Sequence, residues 1–296
     1  MNTPAESKVF APYSFNKPIT NRLIARIIGC GAEAATEFQP GDLIVGYGEL
    51  QEYLTVESTK KAYFQKLPEN PFNLDRELFL AALGPPGLVA YASFYKLCQP
   101  QKGETILVSG ASGAVGQTIG QLAIREGLNV IGVVGSKEKA EKLLELGFSS
   151  TINYREPDLT LRLNKIAPKG LDIYYDNVGG EVLEAAIENM ADSGRIVACG
   201  FASQYSTTSD KQYGIRNTGL MVAKNLKWQG FSTTPGCWVF DYAEEHQKSL
   251  QQWIHDGSFK PILSVNKGLE SALDSLADML RGKHMGKVVI DLTSDP

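Results

Sequence analysis

Three glycines in the segment VSGASGAVGQTIGQLA, Val108 to Ala123, have a spacing that can bind phosphate. Gly110, Gly113 and Gly116 follow strand-forming residues and lead into a stretch whose apolar residues have helical spacing. A dinucleotide site needs such a strand, a tight glycine turn and a helix whose first N–H groups face the pyrophosphate. The pattern predicts a dinucleotide seat here, with a purely structural turn as the alternative.

The next strand indicates which dinucleotide would bind. An NAD site usually carries an Asp or Glu about 20 residues beyond the glycines, where it accepts from the ribose 2′-hydroxyl. Here the strand NVIGVVG ends without a carboxylate, and Ser136, Lys137 and Lys139 could bind a 2′-phosphate instead. Glu138 is the nearest opposing charge, and an ordinary solvated helix start is the alternative. The sequence therefore favours NADP(H).

The cysteines and histidines lack the spacing of a metal site. The cysteines stand singly and the histidines all lie in the last fifth of the chain, at Cys30, Cys98, Cys199, Cys237, His246, His255 and His284. Structural zinc sites use paired Cys or His ligands at short spacing. We predict no bound metal and no disulfide framework.

Alternating strands and helices are expected to position these residues. From Thr105 onward, strand-forming runs such as TILVSG, NVIGVVG and LDIYYD take turns with helical stretches. This alternation is typical of a doubly wound parallel sheet in an α/β fold. Residues 21–57 read instead as short antiparallel strands that end in the alternating stretch LQEYLTVES, and HQKSLQQWIHDG predicts an amphipathic helix.

Composition argues against several classes of partner. The 296 residues carry a net charge of −4, which gives no support for a nucleic acid or an anionic membrane as partner. The segment MNTPAESKVFAPYSF lacks the basic and apolar regions of a signal peptide. No apolar run approaches the ~20 residues that a membrane-spanning helix needs. We expect a cytoplasmic protein.

Six segments occur in the order typical of one enzyme superfamily: GASGAVG, GSKEKAEKLLELGF, INYRE, DIYYDNVGGE, GRIVACGFASQY and GLESALDSLADMLRGKHMGKVVI. From Phe38 to Leu292 the chain resembles the zinc-independent medium-chain dehydrogenase/reductase superfamily, in particular its prostaglandin reductase (leukotriene B4 dehydrogenase) and plant double-bond reductase branch. The resemblance implies a Rossmann domain inside a split GroES-like β-rich domain. The implied bounds are a GroES-like catalytic domain at 1–85, an NADP-binding domain at 86–260 and a return to the catalytic domain at 261–296.

The same resemblance implies a reaction. Members of this branch use NADPH to reduce the C=C bond of α,β-unsaturated ketones and aldehydes, with hydride transfer to the β-carbon, and they are commonly homodimers. Tyr205 of ASQY matches the family tyrosine that serves the substrate oxygen. A tyrosine hydroxyl can donate a hydrogen bond without carrying charge at neutral pH. The alternative for Tyr205 is a loop tyrosine with a structural bond.

Position by position, the resemblance also implies cofactor contacts. They run from the pyrophosphate through the 2′-phosphate and adenosine to the nicotinamide, at Gly113, Ala114, Val115, Gly116, Ser136, Lys139, Tyr154, Asn177, Cys199, Gly200, Ser203, Phe231, Ser232 and Thr233. His284 replaces a family asparagine and either donates in its place or points to solvent. Tyr154 as a surface aromatic, Asn177 as a turn cap and Cys199 as a small buried apolar residue are the alternatives.

The chain departs from the family at its start. Family members normally begin several dozen residues earlier, so we expect an N-terminally shortened GroES-like domain and an incomplete substrate side. Two other functions therefore stay open. One is NADPH-dependent quinone reduction, and the other is a non-catalytic NADPH-binding regulator that lacks a complete substrate domain.

Overall fold

The first strands form a small antiparallel sheet. The computed structural model describes residues 16–205, 207–234 and 236–292. Strand β1 (Thr20–Arg26) pairs with β2 (Leu43–Glu49), and β2 pairs with β3 (Phe64–Lys66). The prediction of a strand at residues 50–57 is wrong, because the chain bends after β2 and folds the Leu54 side chain back against Gly48.

A six-stranded sheet forms the centre of the fold. All of its neighbouring strands pair in parallel, in the order β6-β5-β4-β7-β8-β9. The predicted doubly wound parallel sheet is confirmed, because the order of strands reverses between β4 and β7. The strands are β4 (Thr105–Val108), β5 (Asn129–Val134), β6 (Ser150–Asn153), β7 (Leu171–Asp176), β8 (Met190–Ala198) and β9 (Lys227–Gly230).

Helices connect and cover these strands. The first begins at a proline pair, which a first helical turn accepts because its N–H groups need no intrahelical partner. Among the described residues, no helix has the length and apolarity to cross a membrane. The helices of the central region are α1 (Pro85–Ser93), α2 (Ala114–Arg125), α3 (Lys137–Glu145), α4 (Leu159–Ile166), α5 (Gly180–Asn189), α6 (Gly219–Ala223) and α7 (Ala243–His255).

Alternating side chains of the strands fill two cores on opposite faces of the sheet. Ile106 and Val108 pack on one face with Ile119 of α2 and Leu250 of α7. Leu107 packs on the other face with residues of α4 and α5 such as Leu163, Val182 and Leu183. Burying each large aliphatic side chain stabilises the fold by about 1.5–3 kcal/mol, so the two cores hold the sheet edge rigid.

A return segment docks on α2 after α7. It comprises the parallel pair β10 (Leu263–Lys267) and β11 (Lys287–Asp291), with α8 (Ala272–Leu280) between them. The Gln117 amide bonds both backbone groups of Ile262, and the Gln121 amide does the same with Lys260, at 2.7–3.2 Å. Because these glutamines are one turn apart, they fix the return segment along one face of α2. The predicted domain bounds at 85 and 260 stay a prediction.

Candidate active site

The glycine loop joins β4 to α2 at the carboxyl edge of the sheet. Gly113 precedes the first residue of α2, and its N–H donates to the Gly110 carbonyl oxygen at 2.9 Å. A Cβ atom on Gly116 would overlap that same carbonyl oxygen, so the close approach of loop and helix requires glycine. The first N–H groups of a helix have no intrahelical acceptor. Ala114, Val115 and Gly116 therefore present donors suited to a pyrophosphate.

The turn before β11 closes one side of this loop. The Gly286 N–H donates to the Ser112 carbonyl oxygen at 2.7 Å, and Gly286 forms a parallel bridge with Gly113. Within the described ranges, the Nε2 atom of His284 is buried and has no hydrogen-bond partner. An unpaired buried nitrogen is costly unless a ligand satisfies it. His284 is thus placed next to the glycine loop with one polar atom left for a ligand.

Lys139 and Ser136 lie at the tip of β5. The Ser136 hydroxyl caps α3 by accepting from the Lys139 N–H at 3.4 Å. The Lys139 ammonium donates to the Gly282 carbonyl oxygen at 2.5 Å, which links α3 to the turn that carries His284. Partial burial lowers the pKa of Lys139. Hydrogen bonds with its own backbone N–H and with the Ser136 side chain lower the pKa of Glu138, which leaves a negative charge at this rim.

Tyr154 stands beside the same rim, after β6. Its side chain is 48 % exposed, and a Cβ atom on Gly135 would come within 2.9 Å of its ring. The Arg155 guanidinium lies 5.8 Å from the ring centroid. The ring therefore stands half-exposed at the rim beyond β5.

Asn177 follows β7 and uses its side chain to hold the glycine loop. Its Nδ2 donates to the Ser109 carbonyl oxygen and its backbone N–H donates to the Ser109 hydroxyl, both at 2.8 Å. Gly179, two residues later, has φ +68°, a conformation that favours glycine. Asn177 is thus fixed between two loops of the edge.

Cys199 and Gly200 end the neighbouring strand β8. Their N–H groups both donate to the Asp176 carbonyl oxygen at 2.9 Å. Burial raises the pKa of the Cys199 thiol to about 11, opposed by a hydrogen bond with Tyr175. The Tyr175 hydroxyl is bonded in turn to Ser93 at 2.7 Å. The thiol stays protonated at neutral pH, which agrees with a buried apolar role rather than a nucleophile.

The Tyr205 hydroxyl points back at this strand end. A Cβ atom on Gly200 would lie 3.2 Å from it, and the Tyr205 ring packs edge-on against Phe201 at 4.9 Å. Burial raises the pKa of Tyr205, and a hydrogen bond with the Phe201 backbone opposes the increase. The hydroxyl is therefore a neutral donor beside Gly200. Ser203, in the same loop, is exposed and donates to the Val178 carbonyl oxygen at 2.7 Å.

Phe231, Ser232 and Thr233 follow β9 at the same edge. Phe231 is half-buried and its ring centroid lies 5.6 Å from that of Trp238. Ser232 and Thr233 are exposed, and the Ser232 hydroxyl accepts from the Thr234 N–H at 3.1 Å. The six strands thus bring most of the predicted residues to one edge, whereas His284 arrives from the return segment.

A large cleft lies on the side of the antiparallel sheet. Its volume is about 1420 Å³, and residues of β1, β2, α8 and β11 line it together with Pro85 and Pro86. Of the predicted site residues, only Val115 is among those that line it. The cleft therefore meets the glycine loop but does not contain the residues around Gly200 and Tyr205.

Known proteins match this architecture over nearly the whole chain. The NADP-dependent oxidoreductase RED1 of Cochliobolus heterostrophus is 42% identical over 99% of this chain and 82% of its own length. The chain belongs to the zinc-independent medium-chain dehydrogenase/reductase superfamily. The family model described as "Zinc-binding dehydrogenase" matches residues 114–254 of this superfamily member.

Two further members of the superfamily extend the comparison. The 2-alkenal reductase (NADP(+)-dependent) of Nicotiana tabacum is 38% identical over 95% of this chain and 78% of its own length. The crystal structure of CurA in complex with NADPH from Vibrio vulnificus has a TM-score of 0.86 and 27% identity, covering 99% of this chain and 85% of that one. In the part of this chain that the structure describes, no three His, Cys, Asp or Glu residues are grouped as metal ligands.

Sequence reasoning missed two residues of this superfamily member's site. Ser109 directly follows β4 and Asp176 is the last residue of β7. Both are buried polar residues, bonded to each other at 3.1 Å. The available signal was the polar residue that directly follows an apolar strand in TILVS and DIYYD. The sequence-based prediction named the neighbouring glycines and Asn177 instead of Ser109 and Asp176.

Proposed function

We propose that this protein uses NADPH to reduce the C=C bond of α,β-unsaturated ketones and aldehydes, with hydride transfer to the β-carbon. The observation that carries the proposal is the placement of the neutral Tyr205 hydroxyl beside Gly200, on the same sheet edge as the glycine loop. The NADP-dependent 2-alkenal reductase among the relatives supports the same class of reaction. The substrate is a small molecule, and a cytoplasmic location is part of the proposal.

The residues at this edge of the sheet fit NADP(H). Gly116 lets the glycine loop pack closely against the start of α2, and this helix offers N–H donors for the pyrophosphate. Ser136, Lys139 and Tyr154 surround the tip of β5, where no carboxylate stands at the strand end to select a free ribose hydroxyl. The proposed nicotinamide side comprises Asn177, Cys199, Gly200, Ser203, Phe231, Ser232, Thr233 and His284.

The protein's part in the chemistry is orientation and hydrogen bonding. NADPH, when bound, supplies the hydride. Reduction of an enone places negative charge on the carbonyl oxygen, and a donor aimed at that oxygen lowers the barrier. Tyr205 carries its proton at neutral pH, and burial raises its pKa further, so it can donate to that oxygen or pass its proton on. The buried Cys199 thiol adds no competing nucleophile.

NADPH oxidation against a panel of enals, enones and quinones tests the proposal. We expect turnover with the enals and enones, and little with the quinones. Turnover of quinones alone would identify a quinone reductase. Tight NADPH binding without turnover of any compound would identify the regulator. Either of these outcomes would contradict the proposed reaction.

We also propose that the protein is a homodimer formed at β9. This strand is the outer strand of the six-stranded sheet, and all four of its residues are exposed, including Trp228 at 42 %. An uncovered edge strand presents unpaired N–H and C=O groups that pair readily with another strand. A second copy of the same strand would satisfy them.

A further inference from the structure

The carboxylate of Asp176 is the most heavily bonded buried acid in the described chain. It is 2 % exposed, and its Oδ1 atom accepts four hydrogen bonds. The donors are the Tyr174 hydroxyl at 2.7 Å, the Gly179 N–H at 2.8 Å, the Val178 N–H at 3.0 Å and the Ser109 hydroxyl at 3.1 Å. Burial raises the pKa of Asp176, and these four bonds oppose the increase. Burying a carboxylate costs free energy, which these hydrogen bonds offset.

These bonds cross the point where the sheet reverses its strand order. Ser109 directly follows β4, and Asp176 is the last residue of β7, the neighbouring strand. Strands β5 and β6 lie on one side of this pair, and β8 and β9 lie on the other. In open α/β sheets the ligand crevice forms at such a reversal, outside the carboxyl ends of the strands.

Three of the four donors come from the two walls of that crevice. Ser109 begins the glycine loop, which leads to α2. Val178 and Gly179 form the turn that leads to α5. The same Ser109 hydroxyl accepts from the Asn177 N–H at 2.8 Å, so the loop and the turn share one hydrogen-bonded centre. The spacing between the two walls depends on that centre.

We propose that Asp176 is a positioning residue for the dinucleotide: it ties Ser109 of the glycine loop to the Asn177–Gly179 turn and so sets the width of the crevice. Asp176 acts through Ser109, and no contact between Asp176 and the ligand is needed. The inference rests on the proposed use of NADPH.

A double-mutant cycle on NADPH affinity tests it. Asp176→Asn keeps the size of the side chain and an Oδ1 acceptor but removes the negative charge, which weakens the charge-assisted bond from Ser109. Ser109→Ala removes the bonded hydroxyl. We expect each variant to raise the dissociation constant of NADPH about tenfold, which corresponds to about 1.4 kcal/mol. The double variant should bind NADPH about as tightly as the weaker-binding single variant, since all three variants weaken or remove the same connection. The Michaelis constant for NADPH should rise by a larger factor than the turnover number falls.

Tyr174→Phe is the matched control. It removes another donor from the same Oδ1 atom, but Tyr174 belongs to the core of α4 and α5, and the variant leaves the bond from Ser109 to Asp176 in place. We expect a lower melting temperature with an unchanged dissociation constant. If Tyr174→Phe raises the dissociation constant of NADPH as much as Asp176→Asn does, the inference is overturned, because a change in any bond to Asp176 would then have the same effect. Additive effects of Asp176→Asn and Ser109→Ala on the dissociation constant of NADPH would also overturn the inference.

The outcomes also separate the two proposals. Wild-type protein that binds no NADPH would overturn both. Wild-type protein that binds NADPH while Ser109→Ala and Asp176→Asn bind it equally well would overturn the positioning role alone. If Asp176→Asn fails to fold, Ser109→Ala still decides, because an unchanged dissociation constant in that variant contradicts the inference.

Discussion

At the scale of single residues, burial makes the side chains at the end of β8 hold their protons more tightly. The pKa of the Cys199 thiol is raised to about 11, and that of the Tyr205 hydroxyl is also raised. A protonated thiol is a poor nucleophile, whereas a protonated phenol is a good hydrogen-bond donor. The same desolvation therefore makes one residue inert and the other useful.

We predict that Tyr205→Phe lowers turnover of an enone about a hundredfold, the effect of losing a positioned proton donor. In the wild type the turnover number should stay level up to about pH 10 and fall only above it, because the pKa of Tyr205 is raised from 10.0. Stopped-flow turnover across pH 6 to 11 measures both. The dissociation constant of NADPH serves as the control and should not change. Equal turnover in the variant would remove Tyr205 from the mechanism.

We predict that Lys139→Ala raises the Michaelis constant for NADPH at least about tenfold more than that for NADH, since a charge-assisted bond contributes about 1.5–3 kcal/mol. Steady-state kinetics with both cofactors provides the measurement. Lys142→Ala is the control, because Lys142 lies on the same helix and pairs with Glu145 at 2.6 Å. If Lys139→Ala affects both cofactors alike, the assignment to the 2′-phosphate is wrong.

At the scale of elements, the two ends of the parallel sheet differ. Strand β6 at one end has a partly buried pattern, whereas β9 at the other end is exposed along its whole length. Exposed edges of this kind are expected to be covered by another chain or to promote aggregation. The edge at β9 therefore matters for assembly.

We predict that Trp228→Lys converts the proposed dimer into a monomer, because it removes an apolar contact and brings like charges together across the pair. Light scattering coupled to gel filtration gives the mass directly. Leu161→Lys is the control: Leu161 is 62 % exposed on α4, away from β9. A dimer that persists in Trp228→Lys would place the interface elsewhere, and a monomeric wild type would contradict the dimer itself.

Local patterns predicted the elements better than the contacts between them. The alternation from Thr105 predicted the parallel sheet because each strand and its following helix form one local unit. The predicted strand at residues 50–57 is wrong because the alternation of apolar and polar residues cannot show that the chain bends after β2. At the site, the sequence pointed to Asn177 but not to its bonds with Ser109, which lies 68 residues away. Such contacts depend on the order of strands in the sheet, which no local pattern encodes.

At the scale of the whole molecule, His246 joins α7 to the segment before α1. Its Nε2 atom donates to the Ala82 carbonyl oxygen at 2.8 Å, and the side chain is buried. Burial lowers the pKa of His246 from 6.5 to about 4. The histidine is therefore neutral in the folded state, whereas the unfolded chain takes up a proton below pH 6.5.

This difference predicts acid sensitivity. Because the folded pKa lies below the unfolded one, stability is complete above about pH 6.5 and decreases as the pH falls through 4, by about 3 kcal/mol in all. Urea unfolding at pH 7 and at pH 4 measures the change. His246→Gln keeps an amide donor for Ala82 and should flatten this part of the pH dependence. A variant with the same slope as the wild type would assign the acid sensitivity to other groups.

The docking of the return segment on α2 has a kinetic consequence. The bonds from Gln117 and Gln121 join residues 139 to 145 positions apart, whereas each βα unit of the sheet joins near neighbours. Longer loops cost more conformational entropy to close, so distant contacts form later in folding. Pulsed hydrogen exchange during refolding should then protect the Gly286 amide, bonded to Ser112, after the amides of β4. The glycine loop would reach its final shape last, so the newly folding sheet would bind dinucleotide only once the return segment is in place.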